Sequence, residues 1–133
     1  MKRWTGSMDS PIDRYQHLSP NFQLAEFMSP DTDEVPADVL ENLKLLAEAL
    51  EKVRTIFGKE IVIDSGYRTE AHNKAVGGAP HSQHLLGKAA DIKVVGVSPR
   101  EVQKTLNNWD GGLGSYSSWT HLDLSTKRRW SGP

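Results

Sequence analysis

Val39, Leu43, Leu46, Leu50, Val53 and Phe57 recur at steps of four and three, which is the spacing of one face of an α-helix. The stripe predicts a helix over residues 37–57, with Gly58 as its C-terminal cap. A helix with so long an apolar face must bury it, and a chain of 133 residues has room for one domain. The face is therefore assigned to that domain's own core rather than to a partner. Around it, Phe22, Leu24 and Phe27 predict a short helix or turn over the core, and Pro30 and Pro36 punctuate a loop. Ile61 to Ile63 reads as a buried strand. Gly66 supplies a turn, and Thr69 caps a short helix that runs to Val76. Gly77-Gly78-Ala79-Pro80 ends that helix. Ala89 to Val95 reads as a second buried strand, and Ser98 with Pro99 opens a helix through Trp109. Gly111, Gly112 and Gly114 mark a turn, and residues 119–124 alternate as the last strand. Helices and strands mix without strict βαβ alternation, which predicts an α+β fold: a small antiparallel sheet with flanking helices. Residues 1–20, with Gly6, Pro11 and Pro20 among polar residues, predict an N-terminal arm ahead of a single domain at 21–133.

Composition narrows the function classes. Hydrophobic residues make up 37% and charged residues 25%, the balance of a folded domain rather than a disordered chain. The formal net charge of -1 argues against a nucleic-acid binder, which carries a basic face. Lys2-Arg3 and Lys127-Arg128-Arg129 are read as solvated ends. No apolar run is long enough to span a membrane. Lys2 and Arg3 have no apolar stretch behind them, so no secretory signal is expected. A substrate outside the cytoplasm would then require another route of delivery. With no cysteine in the chain, any metal must be held by nitrogen and oxygen ligands.

Three candidate ligands stand out by type and setting. His84 lies in a glycine-flanked loop, Asp91 sits in an apolar strand between Ala89, Ala90 and Ile92, and His121 sits in a strand of its own. A buried aspartate is costly unless it is paired or bound to metal. Two imidazoles and one carboxylate around zinc, with a fourth position open, satisfy it economically. Such a metal makes water a nucleophile at neutral pH and polarises a carbonyl. The string S-x-H-x-x-G-x-A-x-D is present whole as SQHLLGKAAD over residues 82–91. Within it Gly87 allows a tight turn and Ala89 leaves space beside the ligands.

That string, with SGYR upstream at 65–68 and HLD at 121–123 ahead of RRW, resembles the zinc D-alanyl-D-alanine carboxypeptidases and their murein endopeptidase relatives, which share a fold with hedgehog signalling domains. The likeness runs from about Asn21 to Trp130 and lies closest to the compact branch with H-x-D in its final strand. It implies a hedgehog/DD-peptidase-like fold, Zn2+ as cofactor and His84, Asp91 and His121 as its ligands. It also implies hydrolysis of a peptide bond in the stem or cross-link of peptidoglycan, by a carboxypeptidase or an endopeptidase; nothing in the pattern demands a partner chain, so a monomer is expected. A phage endolysin released through a holin pore, or an enzyme exported by another route, fits the absence of a signal segment. The same resemblance makes Arg68 a catalytic residue that supports the substrate carbonyl or developing oxyanion, the other reading being a structural ion pair. Ser82 is a candidate substrate contact, or a loop serine bonding its own backbone. Tyr116, with Trp119, lines a groove for substrate or fills core.

One position departs from the pattern. Many relatives carry Glu or Asp three residues before the last histidine, as general base and acid; here it is Ser118. Asp123, on the same strand face as His121, either shuttles protons or orients His121 from behind, and His81 is a third candidate. Asn73 either shapes the site or is structural, as is His72. His17 is read as inert and Trp130 as a packing anchor for the C-terminus. The departure at Ser118 keeps an alternative open: a zinc-stabilised cell-wall binding module with little or no catalysis.

Overall fold

The computed structural model describes residues 12–133. Lys2-Arg3, Gly6 and Pro11, and with them the outer part of the expected arm, lie outside the described residues. The apolar stripe forms helix α1, Ala37–Phe57, with Val39, Leu43, Leu46, Ala47, Leu50 and Val53 buried along one side. Gly58 closes it in the left-handed conformation at φ 62°, its N–H donating to the Arg54 carbonyl, as a side-chain-free C-cap does at least cost. Ahead of α1, strands β1 (His17–Ser19) and β2 (Phe22–Gln23) form a short hairpin, followed by a 3-10 turn at Leu24–Phe27 whose Leu24 and Phe27 are buried. Residues 17–19 of the expected arm are thus held to the domain.

Glu51 of α1 fastens that hairpin. Its carboxylate accepts from Ser19 Oγ at 2.6 Å and from the N–H and side-chain amide of Asn21, each at 2.7 Å. Burial pushes its carboxyl up, but these bonds outweigh burial and hold it below the usual glutamate range. A group whose folded pKa is depressed stabilises the fold above its unfolded pKa and loses that contribution as pH falls through the folded value. Glu51→Gln is therefore expected to cost about 1 kcal/mol at pH 7, allowing for solvent screening. The gap between variant and wild type in urea denaturation should close as the pH falls below about 4.

Five strands form the main sheet, in the order β3 (Ile61–Ser65), β4 (Ala89–Val94), β6 (Thr120–Asp123), β5 (Gly112–Ser115) and β7 (Arg128–Ser131). Ile61, Ala90, Ile92, Val94, Leu113 and Leu122 join α1 in one apolar cluster. Because successive side chains alternate, Asp91, His121, Gly114 and Trp130 stand on the opposite face, and the register sets them in one row with Ser65 across the sheet. Between the strands, α2 (Glu70–Ala75) is capped by Thr69, which accepts from the His72 N–H at 3.1 Å. A 3-10 turn at Gln83–Leu86 carries His84. Helix α3 (Pro99–Thr105) is capped by Ser98.

The structure amends the expected architecture in three places. Helix α3 ends at Thr105, not Trp109, ahead of Asn107 and Asn108, which are weak helix formers. Trp109 turns back to donate its indole N–H to the Asp123 carbonyl at 3.0 Å. Gly112 and Gly114 are not a turn but lie inside β5, between β6 and β7. Residues 119–124 are not the last strand either, since β7 follows and pairs with β5 in parallel, so the sheet is mixed rather than purely antiparallel. The β5 glycines have a steric reason. A Cβ at Gly112 would lie 2.4 Å from a carboxylate oxygen of Asp123, and one at Gly114 would lie 2.6 Å from the Trp130 ring.

Candidate metal centre

Asp91 on β4 and His121 on β6 are direct cross-strand partners, and His84 reaches them from its 3-10 turn. Asp91 Oδ1 lies 3.3 Å from His84 Nε2 and 3.1 Å from His121 Nδ1. One ligand atom from each residue falls within 4.8 Å of the others. The nitrogen that faces away from the cluster is engaged in both rings. His84 Nδ1 lies 2.7 Å from the Gly66 carbonyl, which can only accept, so that nitrogen carries the proton. His121 Nε2 lies 2.8 Å from Asp123 Oδ2 and donates to it. The inward nitrogens, His84 Nε2 and His121 Nδ1, are thus the ones left for a metal, the arrangement that outer hydrogen bonds impose on metal-binding histidines. The rings pack edge to face with centroids 5.2 Å apart.

The electrostatics suit a cation. Burial pushes the Asp91 carboxyl up, but the hydrogen bonds from His121 and His84 outweigh it and hold it well below the usual carboxylate range. Burial likewise raises Asp123, and its bonds with His121 and Ser125 bring it far down. His121 is pulled down by burial and raised above the usual imidazole value by Asp123 and Asp91. Two ionised carboxylates thus flank His121, and a bound cation would take the place of the proton between His121 Nδ1 and Asp91. Two imidazole nitrogens and one carboxylate oxygen form a donor set that fits zinc and leaves a coordination position open.

Asp123 is fully buried. Oδ1 accepts from the Gly112 N–H and from the N–H and hydroxyl of Ser125, while Oδ2 accepts from His121 and from Arg128 Nη2. Both of its oxygens are thus engaged, one of them by the outward nitrogen of His121. Arg68 is held as firmly. Nε donates to Ser65 Oγ at 3.1 Å, Nη1 to Asn73 Oδ1 at 3.1 Å and Nη2 to Asp91 Oδ2 at 3.3 Å. These bonds leave donors to spare. Buried Asn73 also ties down the Ala79 carbonyl at 2.8 Å, and Gly78 closes over the pair, since a Cβ there would meet both side chains.

The centre opens into a cleft of about 620 Å³ that reaches Arg68, His81, Ser82, Tyr116 and Arg128. Ser82 caps the 3-10 turn by accepting from the His84 N–H at 3.1 Å. Tyr116 stacks on Trp119 with ring centroids 4.5 Å apart, and its hydroxyl accepts from Trp130 Nε1 at 2.9 Å. His81 is exposed at the rim and Ser118 is exposed on the β5–β6 loop. His72 lies 3.9 Å from Asp31, away from these residues.

Two residues of β7 were missed as site residues. Trp130 does more than anchor the C-terminus: it crosses Gly114 and packs against His121, centroids 5.0 Å apart. Arg128 is not a merely solvated end, because it reaches Asp123 and lies 4.7 Å over the Trp130 ring. The period-two pattern of R-R-W, opposite the period-two glycines of G-L-G, was the available signal.

The chain matches the family model described as Peptidase M15 over residues 20–123. It is also similar to the probable peptidoglycan L,D-endopeptidase MepK of Haemophilus influenzae, at 33% identity over 81 residues that cover 55% of this chain. The match spans 44% of that relative's length. Among the described residues, no helix is long and apolar enough to cross a membrane.

Proposed function

The chain belongs to the peptidase M15 family, and from that premise we propose that it is a zinc peptidase hydrolysing a peptide bond in bacterial peptidoglycan. The observation that carries this reading is the convergence of His84 Nε2, Asp91 Oδ1 and His121 Nδ1, with the opposite nitrogen of each ring already held. Those three side chains would hold the metal. When bound, zinc supplies Lewis acidity toward the scissile carbonyl and toward water. The rest is done by the chain itself. The Gly66 carbonyl and Asp123 keep a proton on the outward nitrogen of each histidine. Ser65, Asn73 and Asp91 fix the Arg68 guanidinium, whose remaining donors stabilise negative charge developing on the substrate carbonyl oxygen. The cleft positions the peptide against these groups. In this assignment Asp123 is a positioning residue. The relative's printed name supports an endopeptidase over a carboxypeptidase.

Arg68→Ala tests this division of labour. Loss of a fixed donor to a developing oxyanion costs about 100-fold or more in turnover, so kcat/KM on a cell-wall peptide should fall by that factor while metal content is unchanged. Unchanged turnover would remove Arg68 from the chemistry. The exposed Ser118, in place of an acidic residue, favours a second reading: a zinc-stabilised wall-binding module. Such a protein would sediment with peptidoglycan and have no turnover for the variant to lose.

A further inference from the structure

The charges lining the cleft differ sharply in access. Its carboxylates, Asp91 and Asp123, are the buried ones, with side chains 12% and 0% exposed. The Arg128 side chain is 51% exposed, so the wall of the cleft presents cationic charge above sequestered anions. The position follows from the sheet register. Gly112 pairs with Arg128 on β7, and with no side chain at Gly112 the Asp123 carboxylate from β6 lies over β5, where Arg128 meets it.

Arg128 is oriented but not consumed. Nη2 donates to Asp123 Oδ2 at 3.1 Å, and the guanidinium lies over the Trp130 ring at 4.7 Å. Trp130 is in turn fixed by its bond to the Tyr116 hydroxyl. Nε and Nη1 of Arg128 make no hydrogen bond among the described residues, in contrast to Arg68, whose Nε and both Nη atoms are engaged. Neutralising Asp123 requires only one edge of a guanidinium. A planar cation with its rotamer fixed and donors unspent at a cleft wall suits a carboxylate, which it binds through short charge-assisted hydrogen bonds.

We propose that Arg128 binds a carboxylate of the substrate, so that the site selects peptides carrying a free carboxylate close to the scissile bond over their amidated counterparts. This rests on the peptidase reading and adds a substrate class to it.

The test uses the metal-loaded full chain and pairs of synthetic stem peptides that differ only in one carboxylate or carboxamide. Cleavage gives kcat and KM. Ketomethylene analogues, which cannot be cleaved, give affinity from the fluorescence of the cleft tryptophans. The wild type should favour one free-carboxylate form by about 10-fold in KM and in analogue affinity, with kcat little changed, as one charge-assisted contact would produce. Arg128→Gln should erase the preference by weakening only the carboxylate form, and Arg128→Lys should restore part of it. Equal binding of every pair by the wild type overturns the proposal without recourse to a variant. Equal weakening of both forms in Arg128→Gln also overturns it, leaving Arg128 as a partner of Asp123 alone. If the analogues show the Arg128-dependent preference but no peptide is cleaved, the carboxylate site stands and the peptidase reading falls.

Discussion

Asp91→Asn is expected to leave a folded protein that neither retains zinc nor cleaves peptide, with hydrolysis reduced about 1,000-fold or more. Asp91 is the hub of the centre: Oδ1 faces both histidine nitrogens, and Oδ2 accepts from Arg68. An amide has almost the same shape but no charge, so it binds a divalent cation poorly and fails to balance Arg68. Both the Lewis acid and the activated water would go with the metal, and a 1,000-fold loss corresponds to about 4 kcal/mol of barrier, within the several kcal/mol such a metal supplies. Metal content measured after dialysis should fall in parallel with turnover. Because the change lies on the sheet face opposite the α1 core, the far-ultraviolet circular dichroism should be unaltered. A variant that keeps both zinc and activity would show that Asp91 is not a ligand.

Gly114→Val is expected to have the largest effect on stability. The glycine sits under the Trp130 indole, and a Cβ would come within 2.6–2.8 Å of several ring atoms. A valine must therefore expel the ring, pull β7 away from β5, or both. Forcing extra carbons into a packed site costs about 1–3 kcal/mol, which for a domain of this size lowers the melting temperature by roughly 4–12 °C. Trp130 would lose its contacts with His121 and Tyr116, so tryptophan fluorescence should change at temperatures where the variant is still folded. An unchanged melting curve and emission spectrum would mean that Trp130 does not lie over this strand.

What the sequence made legible follows the strength of the local physics. The α1 stripe is a long repeat with a period near 3.6, bounded by a capping glycine, and its limits coincide with the helix found. Thr69 and Ser98 announce α2 and α3 because a side-chain oxygen at an N-cap has a specific task. His84, Asp91 and His121 were marked by a charged residue in an apolar strand and by a string of fixed spacing; the sheet register pairs Asp91 with His121, and the turn at Gln83–Leu86 brings His84 to them. Gly112 and Gly114 misled for the opposite reason. Strand assignment relies on alternating side chains, and these positions give up theirs so that Asp123 and Trp130 can occupy the space. Strand β7 was obscured by its charge. Arg128 and Trp130 point into the cleft, while Arg129 donates to the carbonyls of Asn107 and Gly111 at 3.1 and 2.7 Å, so no apolar alternation was left to see. The role of Asp123 depended on which donors reach it. Apart from His121 on its own strand, those come from β5, β7 and the Ser125 turn, which no spacing within that strand encodes.

The reading rests on His84, Asp91 and His121, which converge over one face of the sheet, as the metal ligands of a cell-wall peptidase. Its most direct test is digestion of purified peptidoglycan by zinc-loaded protein, with Asp91→Asn as control and mass spectrometry of the released material. New fragments are expected whose masses correspond to cleavage of one amide bond, absent from the control and suppressed by a chelator. Zinc-loaded protein that binds peptidoglycan from several wall types and releases nothing would contradict it, leaving the wall-binding module in its place.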